Sequence, residues 1–251
     1  MDRAADASPE QLNAQYEALQ QIGGARVTYD ARGIPWNVFG HTPYVVPKDI
    51  ESSAGRAALK SVLAQIRIIL LAEGTEELTL ARQPQVQAHL RDIQFKQSIR
   101  GIPVSDSNVV LTVDDRTGKV AMISANFLPD RGLPREPKLT ASAAVSAAVD
   151  WVQKQYELET KIRGEPVLSY RIGHVDSDAP SARLVWTVAL EATSLQLAAV
   201  VVDALDGSIV ATRAATGITR EVYNSNGSTV WGTRRAREPA YLSASRSSPP
   251  R

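Results

Sequence analysis

The sequence predicts an α+β protein made of two small domains, each a helix packed on an antiparallel sheet. In both halves of the chain a helix-forming segment is followed by several strand-like segments. The gaps between these strands are too short for right-handed crossovers, so the strands should pair antiparallel. A proline-rich stretch separates the halves. The chain has 251 residues, a length that suits one or two domains of ordinary size.

Composition excludes several classes of function. Hydrophobic residues make up 43% and charged residues 22% of the chain, as in soluble globular proteins. The net charge of +1 gives no field that favours nucleic acid, and we expect no nucleic-acid partner. With no cysteine, disulfides, thiolate metal sites and cysteine nucleophiles are excluded.

Membrane and export signals are not visible in the sequence. The most apolar run, Val62–Ala72, is too short for a bilayer and is interrupted by Arg67. It predicts a packed amphipathic helix, and we expect no membrane span. The residues after Met1 have no apolar core of a signal peptide.

An N-terminal helix is expected within residues 1–24. Ser8 can cap it, Pro9 suits its first position, and Gln11 can complete a capping box. Gly23 and the glycine after it should end this helix. Two short strands should follow, joined by a turn at Asp30–Gly33.

Residues 25–128 are expected to form the first domain. A helix should run from Ser52 or Ser53 to Glu73 and stop at Gly74. The turn from Asp115 should place Gly118 at a positive φ. The apolar face of the helix consists of Leu59, Val62, Leu63, Ile66, Ile69 and Leu70. The predicted strands are Glu77–Arg82, Val86–Ile99, Asn108–Asp114 and Lys119–Phe127.

Residues 129–138 are expected to be a linker and 139–213 the second domain. Leu128–Lys138 has three prolines and no periodicity. Thr140 should cap a helix whose packing face holds Ala144, Ala148, Trp151 and Val152. The predicted strands are Pro166–His174, Ala182–Glu191, Leu197–Val202 and Ser208–Arg213, with Leu184, Trp186, Val188 and Leu190 facing inward. Leu197–Val202 is apolar on both faces and should be a central strand.

Periodicity fails in residues 214–251, and the final stretch is expected to be disordered.

Two segments resemble a known pair of domains. Phe95–Phe127 resembles the fungalysin/thermolysin propeptide domain of secreted zinc metallopeptidase precursors, through Gly101, Ile102, Pro103, Val104 and the Gly118 hairpin. The second domain resembles PepSY, through a strand with Trp186 and a later turn with Asp203, Ala204 and Gly207. Thr219–Ser228 resembles the start of a mature thermolysin-like domain.

This resemblance covers about residues 25 to 232. It implies cystatin-like domains, an extracytoplasmic or secreted location, and a thermolysin-like zinc metallopeptidase as partner. Such a chain would inhibit the peptidase and assist its folding by occluding the active-site cleft. Two alternatives stay open, a freestanding α+β binding module without a peptidase partner and a truncated fragment of a precursor. Neighbouring coding sequence with a His-Glu-x-x-His motif would indicate the fragment.

Catalytic chemistry is not predicted. Thermolysin-like enzymes need His-Glu-x-x-His, in which two zinc ligands lie one helical turn apart. This chain has only His41, His89 and His174, which are far apart in sequence. His89 is expected to be a solvated residue of an alternating strand. We therefore expect no enzyme activity, no metal and no cofactor, although an enzyme with an unrecognised site remains a third hypothesis.

Several acidic residues could form a calcium site or a glycosidase pair, but a structural role in turns is the preferred interpretation. Aspartates at strand-to-turn junctions commonly bond the turn backbone. This applies to Asp114, Asp115, Asp203 and Asp206, and to Asp176 and Asp178. The Asn226 glycosylation sequon is attributed to chance in a serine-rich tail.

The tail supplies the predicted partner-binding residues. Arginines in the acidic cleft of a peptidase and a tryptophan anchor would suit binding, since Trp and Arg often dominate interfaces. A processing site near Arg234 and Arg235 is the other functional interpretation. A solvated tail without a partner explains the same residues. The candidates are Arg213, Arg220, Tyr223, Trp231, Arg234 and Arg235.

Overall fold

The computed structural model describes residues 7–81, 85–157, 159–172, 182–192, 197–214, 219–221, 223–225 and 228–230. These residues form an α+β structure with three helices and antiparallel sheets, which confirms the predicted fold class. Two units follow one another along the chain, and each places at least one helix on a sheet of its own.

The first unit has eight strands in one sheet. The strands are β1 (Gly23–Tyr29), β2 (Pro35–His41), β3 (Glu76–Leu80), β4 (Gln85–Gln87), β5 (Leu90–Ile99), β6 (Ile102–Pro103), β7 (Asn108–Asp114) and β8 (Lys119–Asn126). Their order in the sheet is β1-β2-β8-β7-β5-β3, and the short strands β4 and β6 also pair with β5. The helices are α1 (Pro9–Gln20) and α2 (Ser53–Ile69).

Helix α1 begins as predicted and ends earlier. The Ser8 side chain accepts from the Gln11 backbone and the Gln11 side chain accepts from the Ser8 backbone, completing the capping box. The helix ends at Gln20, and Gly23–Tyr29 is already strand β1. Buried Gln15 donates from Nε2 to the Ile69 carbonyl at 2.7 Å. This bond joins α1 to α2 in one core.

Helix α2 begins after the Ser52 cap and ends at Ile69, before the predicted Glu73. Leu71 takes a left-handed φ of 59°, which breaks the helix. The backbone amides of Glu73 and Gly74 then donate to the Glu76 carboxylate. Among the helices of the described ranges, none combines the length and apolarity that a bilayer crossing requires.

The predicted strand Val86–Ile99 is a hairpin instead. Strands β4 and β5 pair antiparallel around a turn in which Ala88 has a φ of 58°. His89 lies in this turn and not in an alternating strand. Strand β7 has the predicted bounds, and its partner β8 ends one position before Phe127.

The core of the first unit lies between the two helices and one face of the sheet. Residues that alternate along β5, β7 and β8 point into it. At the start of α2 the chain approaches so closely that a Cβ on Gly55 would lie 1.9 Å from the Asp49 carbonyl oxygen. The fully buried members of this core include Ile66, Ile69, Ile93, Phe95, Val109, Leu111, Val113, Ile123 and Phe127.

The second unit packs one helix, α3 (Ala141–Tyr156), capped by Thr140, on a six-stranded sheet. The strands are β9 (Lys161–Ile162), β10 (Val167–Arg171), β11 (Arg183–Ala192), β12 (Leu197–Asp203), β13 (Ile209–Ala214) and β14 (Thr219–Glu221). Their order is β10-β11-β12-β13-β14, and β9 pairs with β11. A further pair consists of β15 (Tyr223–Ser225) and β16 (Ser228–Val230).

The predicted packing face of α3 is confirmed. Ala144, Ala148 and Val152 are fully buried, with Trp151 packed beside them. Strand β12 lies between β11 and β13, which confirms its central position. The short strands β9 and β14 were not predicted. Strand β14 lies in the region where the sequence has no periodicity. It pairs with β13 through the backbone, and no apolar pattern in the sequence marks it.

Candidate functional site

The segment Gly101–Val104 joins the two units. Arg100 and Gly101 both take positive φ values, 52° and 79°, and turn the chain sharply after β5. Val104 is then buried and donates its amide to the Gln97 carbonyl at 2.9 Å. It also forms a parallel bridge with Tyr170 of β10 in the second unit. The segment that carries the family resemblance therefore positions an inter-unit contact.

Tyr170 is the centre of this contact, which we call the joint. Its side chain is fully buried, and its hydroxyl donates to the Pro134 carbonyl at 2.7 Å and accepts from Arg100 Nη2 at 2.8 Å. Its carbonyl accepts from the Ser105 amide at 2.9 Å. The apolar cluster of the joint consists of Ile99, Val104, Leu128, Tyr170, Leu184 and Ala204.

Charged groups also reinforce the joint. Arg100 pairs with Asp130, with Nη2 and Oδ1 separated by 2.9 Å. The other oxygen of Asp130 accepts from the Thr75 hydroxyl at 2.6 Å. On the far side, Arg171 Nε lies 3.7 Å from Asp106 Oδ2. The two units are thus connected by backbone, apolar and ionic contacts at once.

The expected linker has no helix or strand, but both units hold it. Gln97 exchanges two hydrogen bonds with the backbone of Leu128. Arg131 donates to the Leu71 carbonyl and pairs with Glu73. At its other end, the amides of Lys138 and Leu139 both donate to the Ala204 carbonyl at 2.9 Å. The segment is therefore bound to both units by hydrogen bonds and is not a free linker.

The other residues on which the sequence resemblance rests hold turns and packing. Gly118 takes the expected positive φ of 70°. Trp186 is half-buried and donates from Nε1 to the Leu139 carbonyl at 2.8 Å. Asp203 accepts from the Leu205 amide at 2.8 Å, and its backbone closes the turn by accepting from the Gly207 amide at 3.0 Å.

Asp114 and Asp206, like Asp203, accept backbone amides of their turns as the sequence predicted, whereas Asp115 bonds a side chain of strand β5 instead. The Arg116 side chain, followed by the Arg116 amide, holds the pKa of Asp114 below its ordinary value. Hydrogen bonds from Ser208 lower the pKa of Asp206 in the same way. Asp115 accepts from Arg91 Nε at 2.8 Å. Asp176 and Asp178 lie outside the described residues.

The structure describes two of the three histidines. His41 is exposed at the end of β2, and His89 is exposed in the β4–β5 turn. His174 lies outside the described residues. Within the described ranges no group of three or more His, Cys, Asp or Glu residues is placed to hold a metal ion.

The predicted partner-binding residues are only partly described. Arg213 is exposed on β13, and Thr219 lies opposite it on β14. Arg220 lies opposite Thr212, and Tyr223 begins β15. Trp231, Arg234 and Arg235 lie outside the described residues, as does the Asn226 sequon. The structure therefore places Arg213 and Arg220 on adjacent strands.

The first sheet has a second face, turned away from its helices, which we call the outer face. Directly paired residues on neighbouring strands share a face, so Phe39 lies beside Met122, and Met122 beside Thr112. Phe39 is 43% exposed. The outer face consists of Arg26, Thr28, Asn37, Phe39, Asp92, Gln94, Val110, Thr112, Met122 and Ser124.

Polar side chains on the outer face are linked to one another. Thr112 donates its hydroxyl to Asp92 at 2.7 Å, and Asn37 donates to the Thr28 hydroxyl at 3.3 Å. Both bonds lie between short side chains. With strands spaced about 4.8 Å apart, the five adjacent strands β1, β2, β8, β7 and β5 span about 20 Å. This is wide enough for one side of a protein interface.

The corresponding face of the second sheet is different. Opposite α3 it carries Val185, Val201 and Ala211, which are at most 2% exposed. A docking surface therefore fits the first sheet better than the second. The sequence does not predict Tyr170, Arg100 or Asp130 as functional residues, since nothing in their spacing distinguishes a joint from ordinary strand and loop residues.

Comparisons with known proteins give no family. No protein-family model matches the chain. No curated protein matches it either. Among solved structures, an uncharacterized protein from Eubacterium rectale is similar at 11% identity and a TM-score of 0.36, covering 82% of this chain and 83% of that one.

Proposed function

We propose that this chain is a non-catalytic, propeptide-type inhibitor and folding assistant of a thermolysin-like zinc metallopeptidase, acting outside the cytoplasm. The observation that carries the proposal is the outer face, which combines an exposed aromatic side chain with polar side chains on five strands that span about 20 Å. The sequence resemblance supplies the kind of partner. The engaged turn aspartates support a structural role for the acidic residues.

Inhibition would result from steric occlusion. The outer face would dock on the catalytic domain, and the chain beyond β14 would lie along the substrate cleft. The joint at Tyr170 supports this arrangement because it connects the sheet to the unit from which that segment extends. In a precursor, tethering would raise the effective concentration, so modest affinity would suffice.

The test is inhibition of the thermolysin-like zinc peptidase of the same organism, with casein hydrolysis as the readout. The purified full chain should inhibit at saturation, and a trypsin-like serine peptidase should be unaffected. Full zinc-peptidase activity at saturating intact protein would contradict the proposal.

Two variants and a truncation locate the inhibitory surface. Phe39→Asp should weaken inhibition about ten-fold, since buried aromatics dominate interfaces. Val167→Asp is the matched control, because Val167 is 55% exposed on β10, away from the outer face. Truncation after Glu221 keeps β14 and removes the later tail, and it should also weaken inhibition. Circular dichroism must show that each protein is folded.

A further inference from the structure

A groove lies between α2 and the edge strand β3 on the core side of the first sheet. Its volume is about 590 Å³. Leu59 and Phe95 lie at its floor, and Leu63, Leu78 and Leu80 line its walls. Leu80 is 37% exposed, although it belongs to a strand of a packed sheet. The groove thus presents apolar surface to solvent beside a strand.

Strand β3 ends the sheet order and pairs only with β5 among the described residues. The Arg100 amide donates to Thr75, and the Ala81 amide donates to Gln94. Because bonded positions alternate along an antiparallel strand, these two bonds direct the backbone groups of Leu78 and Leu80 away from β5. An edge of this kind is a template for another strand.

The side chains of the same residues face the groove. Leu78 lies opposite Gln97, and Leu80 lies opposite Phe95, both of which are buried on the core side. A strand added beside β3 would pair with Leu78 and Leu80 through its backbone. Its alternate side chains would then enter the groove and contact Leu63.

Charge at the rim selects among occupants. Arg56, Lys60 and Arg67 line the α2 side, against Glu51 and Glu77. The nearest carboxylate oxygen of Glu76 lies 4.0 Å from Arg67 Nη2. That carboxylate already accepts three backbone amides. The three cations of the lining outnumber its two carboxylates by one, which favours an acidic segment and disfavours the arginine-rich tail of this chain.

We propose that the α2–β3 groove binds an extended segment of a partner protein by strand addition. The segment would carry apolar side chains at alternate positions and carboxylates at its ends. The two leucines of β3 would supply backbone hydrogen bonds, and Arg56, Lys60 and Arg67 would attract the carboxylates. This site lies apart from the outer face and does not depend on the peptidase partner.

The probe is the fluorescein-labelled peptide acetyl-Asp-Val-Thr-Leu-Thr-Asp-amide, titrated with the full chain and followed by fluorescence anisotropy. Saturable binding is expected, together with slower amide hydrogen exchange at Leu78 and Leu80. A peptide with Lys in place of both Asp should bind about five-fold more weakly or worse. Methylating the backbone nitrogens that face the strand should abolish binding.

Variants of the protein test the same geometry. Leu80→Pro removes an edge N–H without breaking a ladder bond to β5, whereas Leu80→Ala removes only the side chain. The Pro variant should lose binding, and the Ala variant should keep a measurable part of it. Lys60→Glu should weaken binding about five-fold, and Lys154→Glu on α3 should leave it unchanged.

Three results would overturn the proposal. One is the absence of saturable binding to the wild-type chain. Another is equal binding of the N-methylated and unmodified peptides, which remains decisive even if Leu80→Pro does not fold. The third is self-association in sedimentation experiments that the unmodified peptide cannot compete, since a second copy of the chain would then occupy the groove.

Discussion

Tyr170 shows how one side chain connects the halves of this chain. Its ring packs in the apolar cluster of the joint, and its hydroxyl both donates and accepts a hydrogen bond. The guanidinium carbon of Arg100 lies 6.0 Å from the ring centroid. Because a buried polar group without a partner is costly, this arrangement favours one orientation of the two units.

Replacing Tyr170 with Phe should destabilise the protein by about 1–3 kcal/mol, because the Pro134 carbonyl and Arg100 lose their hydroxyl partner in a buried site. Urea unfolding measures the change. Tyr16→Phe is the matched control, since Tyr16 is 64% exposed, and it should shift stability by less than about 0.5 kcal/mol. Equal effects of the two variants would contradict this role of Tyr170.

At the scale of elements, helix starts are set by local side chains and helix ends by the surrounding structure. Ser8, Ser52 and Thr140 each accept a backbone amide three residues ahead. The end of α2 depends instead on the left-handed Leu71 and on Glu76, whose carboxylate binds the backbone just after the helix. Buried Glu76 thus performs the stop that Gly74 was expected to provide.

Ser52→Ala should cost about 1 kcal/mol, since it removes the side-chain acceptor of the Gly55 amide at the start of α2. Ser53→Ala, one residue later and exposed, should change stability by less than about 0.5 kcal/mol. Thermal unfolding of the two variants and the wild type gives the comparison. A loss in the Ser53 variant as large as in the Ser52 variant would show that capping is not the cause.

For the whole molecule, ionised carboxylates are part of the fold. Burial tends to raise the pKa of Glu73, but hydrogen bonds and charge from Arg131, with a hydrogen bond from Gln11, lower it overall. The pKa values of Asp114 and Asp206 are lowered by bonds to Arg116 and Ser208. Each of these groups stabilises the folded state while ionised, at a pH above its unfolded pKa.

Stability should therefore be retained at neutral pH and fall below about pH 4, as the pH passes through the depressed carboxylate pKa values. Urea midpoints measured from pH 7 to pH 2.5 test the direction. Glu73→Gln should make the acid loss shallower, since one of the linked groups is gone. An unchanged midpoint across this range would refute the prediction.

Much of the fold could be predicted from local patterns. The Ser8 and Thr140 caps, the central position of Leu197–Val202 and the Asp115–Gly118 turn follow from side-chain chemistry and periodicity. The hairpin at Ala88 could not, because neither Ala88 nor His89 is a typical turn residue. Its left-handed φ is stabilised by pairing of β5 with β7 and by contact of the His89 carbonyl with the Asp115 amide.

The sequence by itself determined the α+β class, the order of the helices and longer strands, and the turn role of Asp114, Asp203 and Asp206, since these depend on neighbours within a few residues. Only the tertiary structure decided the joint, the outer face and the α2–β3 groove. Tyr170 is 36 residues from Pro134, and Gln15 is 54 from Ile69. Contacts between residues so far apart in sequence produce no periodic pattern of hydrophobic residues, because they depend on how sheets and helices pack rather than on any local preference.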